Sequence, residues 1–254
     1  MLSGLDYVTI SLAGIGAGFV NAIAGGGTLI TFPALTAVGV PPVVANVTNA
    51  IALCPGFLGA ALAQRRDLLG QERRMWVLLP ISALGGACGA LLLLGGGDRV
   101  FRTLIPFLIL GASALLAAQE RIRAWLATRT WHSTSSLGSK ARLAAFLGVG
   151  SIYGGYFGAG LSVIMLAVLG LLLDESLTRI NALKSMLGLV INVAAAVCFI
   201  FSGQILWPAA FTMAGGALVG GVAGGRLAAK IRPGTLRWTV VCIGTVVGVL
   251  YLIR

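Results

Sequence analysis

The chain has 254 residues, of which 58% are hydrophobic and 10% charged, and its mean hydropathy is +0.99. A soluble domain of this length has too little interior for that much apolar surface, so the composition excludes a soluble globular protein and points to a polytopic membrane protein. The formal net charge of +11 would suggest nucleic acid in a soluble chain, but here the basic residues sit in short loops between apolar runs, where topology and anionic lipid head groups account for them without nucleic acid.

Apolar runs fall at about 5–24, 28–40, 43–63, 76–95 and 101–119, then, after a polar stretch, at about 141–157, 160–173, 178–202, 206–225 and 237–253. Most approach the roughly 20 residues that cross a bilayer. The 28–40 and 160–173 runs are short for a crossing and read either as half-helices or as short spans. The start, MLSGLDYV, lacks the basic region of a secretory signal, so the first run reads as a retained segment.

Two glycine-rich triplets interrupt these runs: Gly25-Gly26-Gly27 and Gly158-Ala159-Gly160. Three small residues together break a helix rather than merely groove it. The triplets are related by a shift of 133 residues, Ala45–Asn49 and Asn181–Ser185 by 136, and the Gly85-Gly86-x-x-Gly89 and Gly220-Gly221-x-x-Gly224 patterns by 135. A near-constant offset argues for an internal duplication. The expected organisation is a first membrane repeat over 1–120, a cytoplasmic linker over 121–140 and a second repeat over 141–254.

Charge orients the repeats. The loops at 64–74, 120–142, 174–184 and 226–237 carry 15 of the 18 Lys and Arg residues, which places those loops in the cytoplasm and the N-terminus outside. Each half has an odd number of runs, so the second half is inverted relative to the first. The expected fold is therefore all-α: a polytopic membrane protein of about 8–10 transmembrane helices built from two inverted repeats with glycine-broken segments. Secondary transporters recurrently follow that plan, because broken helices free backbone groups near the midplane that lipid cannot satisfy. Helix N-termini there also offer partial positive charge to an anion.

The candidate substrate-binding residues follow from this plan. Gly25, Gly26, Gly27, Thr28, Gly158, Ala159 and Gly160 would supply backbone N–H groups. Asn46, Thr48, Asn49, Asn181 and Ser185, at the starts of matching helices, would supply side-chain hydrogen bonds. Such neutral groups, Asn192 among them, equally serve to bond one helix to another. Lys184 is costly inside a membrane helix and either snorkels toward the cytoplasm or serves as counter-ion to an anionic substrate. Gly85, Gly86, Gly89, Gly220, Gly221 and Gly224 read as close-packing positions, and Pro33 and Pro55 as kinks near the proposed site.

Other chemistry lacks its residues. Cys54, Cys88, Cys198 and Cys242 are far apart inside apolar runs, and the one histidine, His132, lies in a Ser/Thr-rich loop, so no metal site or catalytic cluster is indicated. No ATP-binding motif occurs, and every carboxylate lies in a loop or at a segment end. An anion leaving an inside-negative cell needs neither, since 100 mV supplies about 2.3 kcal/mol per charge. No cofactor is expected.

The segments FVNAIAGGGTLITFPAL, ANVTNAIALCPG and GYFGAGLSVIMLAVLG resemble the sulfite exporter TauE/SafE family, and the resemblance covers nearly the whole chain as a duplicated unit. It implies a bacterial inner-membrane transporter of sulfite, sulfonates or related small anions. The second repeat departs from the usual wording, with Lys184-Ser185 where a Thr-Ser pair is common. The functional expectation is a secondary transporter, an exporter of a small anion working by alternating access. The alternatives are an anion channel and a non-transporting scaffold subunit. The expected partners are the anion and the lipid bilayer, and a homo-oligomer is compatible with the same sequence.

Overall fold

The structure is a computed structural model that describes residues 2–23, 26–128, 137–173, 175–227 and 233–253. Among the described residues every regular element is helical: α1 (Gly4–Ile23), α2 (Thr28–Ala37), α3 (Pro42–Ala63), a short 3-10 turn (Arg65–Leu68), α4 (Glu72–Thr128), α5 (Leu137–Tyr156), α6 (Leu161–Leu172), α7 (Leu177–Ser202), α8 (Trp207–Leu227) and α9 (Pro233–Ile253). Four of these, α3, α4, α7 and α9, contain stretches long and apolar enough to cross a membrane. The chain is an all-α polytopic membrane protein.

Local chemistry sets the boundaries. Gly26 has φ 93°, a conformation that side chains with a Cβ resist, and α2 begins two residues later. In the second triplet Gly158 and Gly160 have φ 75° and 73°. Alanine is therefore tolerated only between them, at position 159. Gly39, with φ 85°, ends α2; its N–H donates to Thr36 O, and the Val40 N–H reaches back to Leu35 O, closing the last turn. Pro42 occupies the first turn of α3, where its missing N–H leaves no gap. Ser176 caps α7 by accepting from the Arg179 N–H.

α2 and α6 contain 10 and 12 residues, about 15 and 18 Å at 1.5 Å per residue, well short of the ~30 Å hydrocarbon core. They are half-helices. α4 is broken at Gly97, with φ 65° and ψ −180°. Leu78 and Leu126 lie on opposite sides of that break yet share one hydrophobic cluster. A straight helix would hold them about 72 Å apart, so the chain reverses at Gly97. Asp98, just past the reversal, accepts from the Val43 N–H in the first turn of α3, where a carboxylate suits the positive end of the helix. Helix also occupies both ends of the expected 121–140 linker, through Thr128 and again from Leu137. Leu126 is buried, which anchors the extended end of α4.

The helices interleave. α1 packs on α8 through glycines: a Cβ at Gly14 would lie 2.6 Å from Met213 O, and one at Gly216 would lie 2.5 Å from Ser11 O. The first arm of α4 packs on α5 in the same manner, with Gly85 against Ser151, Gly89 against Ile152 and Gly155 against Gly86. In each half, the first helix rests on the fourth helix of the other half. Backbones approach this closely only where side chains are absent, and packing and weak polar contacts then replace the hydrophobic drive that lipid removes.

The ionic contacts gather at one end of the bundle. Arg74 and Arg179 both pair with Glu175, at 2.6 and 3.1 Å, and Arg237 pairs with Glu120 at 2.6 Å. These contacts join segments that charge counting assigned to one face, hereafter the basic end. Trp76, Trp125 and Trp238 project from helix ends there, and Trp207 from the opposite end, as the aromatic belts of a bilayer require.

Candidate functional site

Deep in the bundle lies a small cavity of about 20 Å³, room for one water-sized guest on a scale where a water needs roughly 10–15 Å³. Thr28 at the start of α2 reaches it, as do Asn46, Asn49, Leu53 and Phe57 along α3. The other wall comes from the end of α5 and the second helix break, with Gly155, Phe157 and Gly158, and from Asn192 and Ala195 on α7. Both halves of the chain contribute. No charged side chain lines it among the described residues.

The breaks are held by straps of equal reach. Asn21 Oδ1 accepts from the Gly27 N–H at 2.8 Å, and the Tyr153 hydroxyl donates to Ala159 O at 2.6 Å. In each case a side chain at the end of a helix captures the backbone six residues on. Phe157 beside the second break stacks edge-on with Phe32 and Phe101, fixing that wall from behind.

The polar lining is also pinned. Asn46 Nδ2 donates to Tyr156 O at 2.9 Å, tying α3 to the end of α5, and Asn192 Nδ2 donates to Gly188 O at 2.8 Å in its own helix. Thr31 Oγ1 lies within hydrogen-bond distance of both Gly27 O and Asn49 Oδ1. One end of the Asn49 amide is thereby engaged and the other is left for the cavity.

Of the residues expected at the site, Thr28, Asn46, Asn49 and Gly158 come together here. Gly25 lies outside the described residues. Gly26 packs against Leu116, Gly27 is tied to Asn21, and Gly160 faces Ala112 of α4. Ala159 is buried beside the cavity wall with its carbonyl held by Tyr153. Thr48 turns away, its Oγ1 accepting from the Leu206 N–H ahead of α8 at 3.1 Å.

Asn181, Lys184 and Ser185 sit toward the basic end and do not line the cavity. Asn181 Nδ2 donates to Gln64 Oε1 at 2.7 Å, and Gln64 Nε2 donates to Ser185 Oγ at 3.1 Å. The reason is antiparallel packing: α3 starts where α7 finishes. Polar residues at the two helix starts therefore fall at opposite ends of the bundle. Lys184 is eight residues from Asn192, about 12 Å along α7. At that distance it attracts a monoanion in the cavity by about 1.4 kcal/mol at an effective dielectric of 20. This is enough to bias an approach but not to replace a first contact.

Sequence reasoning left Asn192 balanced between a site role and a helix-bonding one, outside the candidate set, and passed over Phe57, Phe157 and Gly155. The signal for Asn192 was there: it is the one amide in the middle of a long apolar run, at the level of the first-half asparagines on an antiparallel partner.

The comparisons agree with the geometry. A Haemophilus influenzae protein named "Probable membrane transporter protein" is 32% identical over 225 residues, covering 88% of this chain and 86% of its own. The Escherichia coli K12 "Probable membrane transporter protein YfcA" is 26% identical over 246 residues, covering 97% and 89%. A Sinorhizobium "Probable membrane transporter protein ORF9" is 28% identical over 219 residues, covering 84% and 79%. No solved structure gives a significant match. The family model described as sulfite exporter TauE/SafE matches residues 10–251, and the chain belongs to that family, as a membrane transporter rather than an enzyme.

Proposed function

We propose that this transporter exports a small anion, sulfite or an organosulfonate, by alternating access at the cavity between its halves. The observation that carries the proposal is the composition of the cavity: amides, a hydroxyl, glycine backbone and two phenyl rings, drawn from both halves and meeting beside two half-helices. Hydrogen-bond donors and the positive edges of phenyl rings favour negative charge. The two halves are inverted repeats in this account, and their relative rocking exposes the site first to one face and then to the other.

The basic end is the cytoplasmic face by the positive-inside rule, which puts the N-terminus outside in a bacterial inner membrane. Lys184 then draws anions toward the inner approach rather than binding them at the centre. The inner side is closed, since Phe57 packs on Gly188 and the Gln64–Asn181–Ser185 bonds span α3 and α7 one step further in. The test is flux in proteoliposomes under an imposed inside-negative potential, across a panel of sulfite, sulfonates and sulfate. Saturable flux with exchange of labelled substrate is expected. Flux without saturation or exchange would make the protein a channel, and no flux of any of these anions would overturn the proposal.

A further inference from the structure

The amide orientations in the cavity bear on the charge state of the guest. Asn46 and Asn192 each present Nδ2 to a backbone carbonyl, Tyr156 O and Gly188 O. A carbonyl accepts only from N–H, so chemistry fixes both amides the same way round. Each oxygen is left over. Both residues line the cavity, and neither oxygen is among the fully buried atoms without a partner. Two hydrogen-bond acceptors therefore face the cavity, whose volume of about 20 Å³ holds one water-sized guest and must widen to take an oxyanion.

We infer that the site takes the singly charged, proton-carrying form of its oxyanion, bisulfite rather than sulfite, and discriminates against dianions such as sulfate. Two arguments converge. The desolvation penalty of an ion grows with the square of its charge, so a dianion faces about four times the penalty of a monoanion in a cavity with no cation. Acceptor oxygens also repel a bare dianion but bond the hydroxyl proton of bisulfite. The remaining donors, at Thr28 and Asn49, meet its other oxygens.

On the helices that wall the cavity the described titratable side chains are Cys54 on α3, Arg142, Tyr153 and Tyr156 on α5, and Arg179, Lys184 and Cys198 on α7. None is a histidine or a carboxylate.

The inference rests on the anion-transport reading, and its experiment separates the two. Sulfite flux into proteoliposomes is measured at fixed total concentration and potential across the pH range in which bisulfite loses its proton. Flux into protein-free vesicles is subtracted to remove sulfur dioxide leakage. Methanesulfonate, a monoanion throughout that range, is the reference. The expected result is sulfite flux falling by about tenfold per pH unit once the dianion dominates, while methanesulfonate flux stays level. Sulfite flux that holds or rises with pH overturns the inference, as does a parallel fall in both anions. Flux governed by a sodium gradient instead would give the two oxygens to a cation and overturn it too. If neither anion moves at any pH, the transport reading fails first.

Discussion

The ring of Phe57 on α3 lies against the bare backbone of Gly188 on α7, where a Cβ would sit 3.5 Å from two of its carbons. Phe57 also lines the cavity, so one side chain is both floor and plug. It follows Pro55 and Gly56, which lie inside α3 and are exposed. Proline cannot donate the usual helical bond there, so the last two turns of α3 are the part free to bend.

Truncating the plug should open the basic side. With the four native cysteines replaced, Ala195→Cys reports cavity access through its reaction with an impermeant thiol reagent. Adding Phe57→Ala should speed labelling from the basic side at least tenfold and leave labelling from the opposite side unchanged. Equal labelling with and without Phe57 would remove its role as a barrier.

The bonds next to the plug make a second expectation. Gln64→Ala strands the Asn181 amide, whose Nδ2 donates to Gln64 Oε1, and removes the N–H that Ser185 Oγ accepts. Loss of paired polar groups in a partly buried site amounts to about 1–3 kcal/mol. Tm in detergent should fall accordingly, with Ser185→Ala milder because Ser185 Oγ also bonds Asn181 O.

The helix–helix seams predict sharp position dependence. Gly220 stands with its backbone on Ile15 of α1, whereas a Cβ at Gly215, five residues earlier, meets nothing within 4 Å. Gly220→Val should destabilise the bundle by about 3 kcal/mol or more through forced separation of α1 and α8. Gly215→Ala should be neutral. Folded yield by size-exclusion profile and Tm distinguishes the two.

The backbone straps should matter more for transport than for stability. Tyr153→Phe removes one hydrogen bond to Ala159 O, about 1 kcal/mol of stability. The loosened break should lower transport several-fold, seen as a reduced maximal rate at unchanged Tm to within a few degrees. Asn21→Leu should act the same way on the first break through Gly27.

Much of this was legible in the chain itself. Apolar run lengths fixed the helices, and the glycines at 26, 158 and 160 marked the breaks because only glycine accepts their φ values. The Gly85 and Gly220 patterns marked seams, since nothing larger fits there. The centre of the cavity was less legible. Matching Asn46 and Asn49 with Asn181 and Ser185 by offset joined residues that an antiparallel arrangement holds apart. Asn192 and Phe57 became site residues only through tertiary register, which helical periodicity within one segment does not carry.

The interleaving of the helices also governs how the protein can be made. α1 leaves the ribosome early, but its glycine-lined partner face on α8 begins only at Trp207. During synthesis that face must stay in lipid or borrow a temporary neighbour. Chains stalled before α8 would leave the glycine seam of α1 without its packing partner.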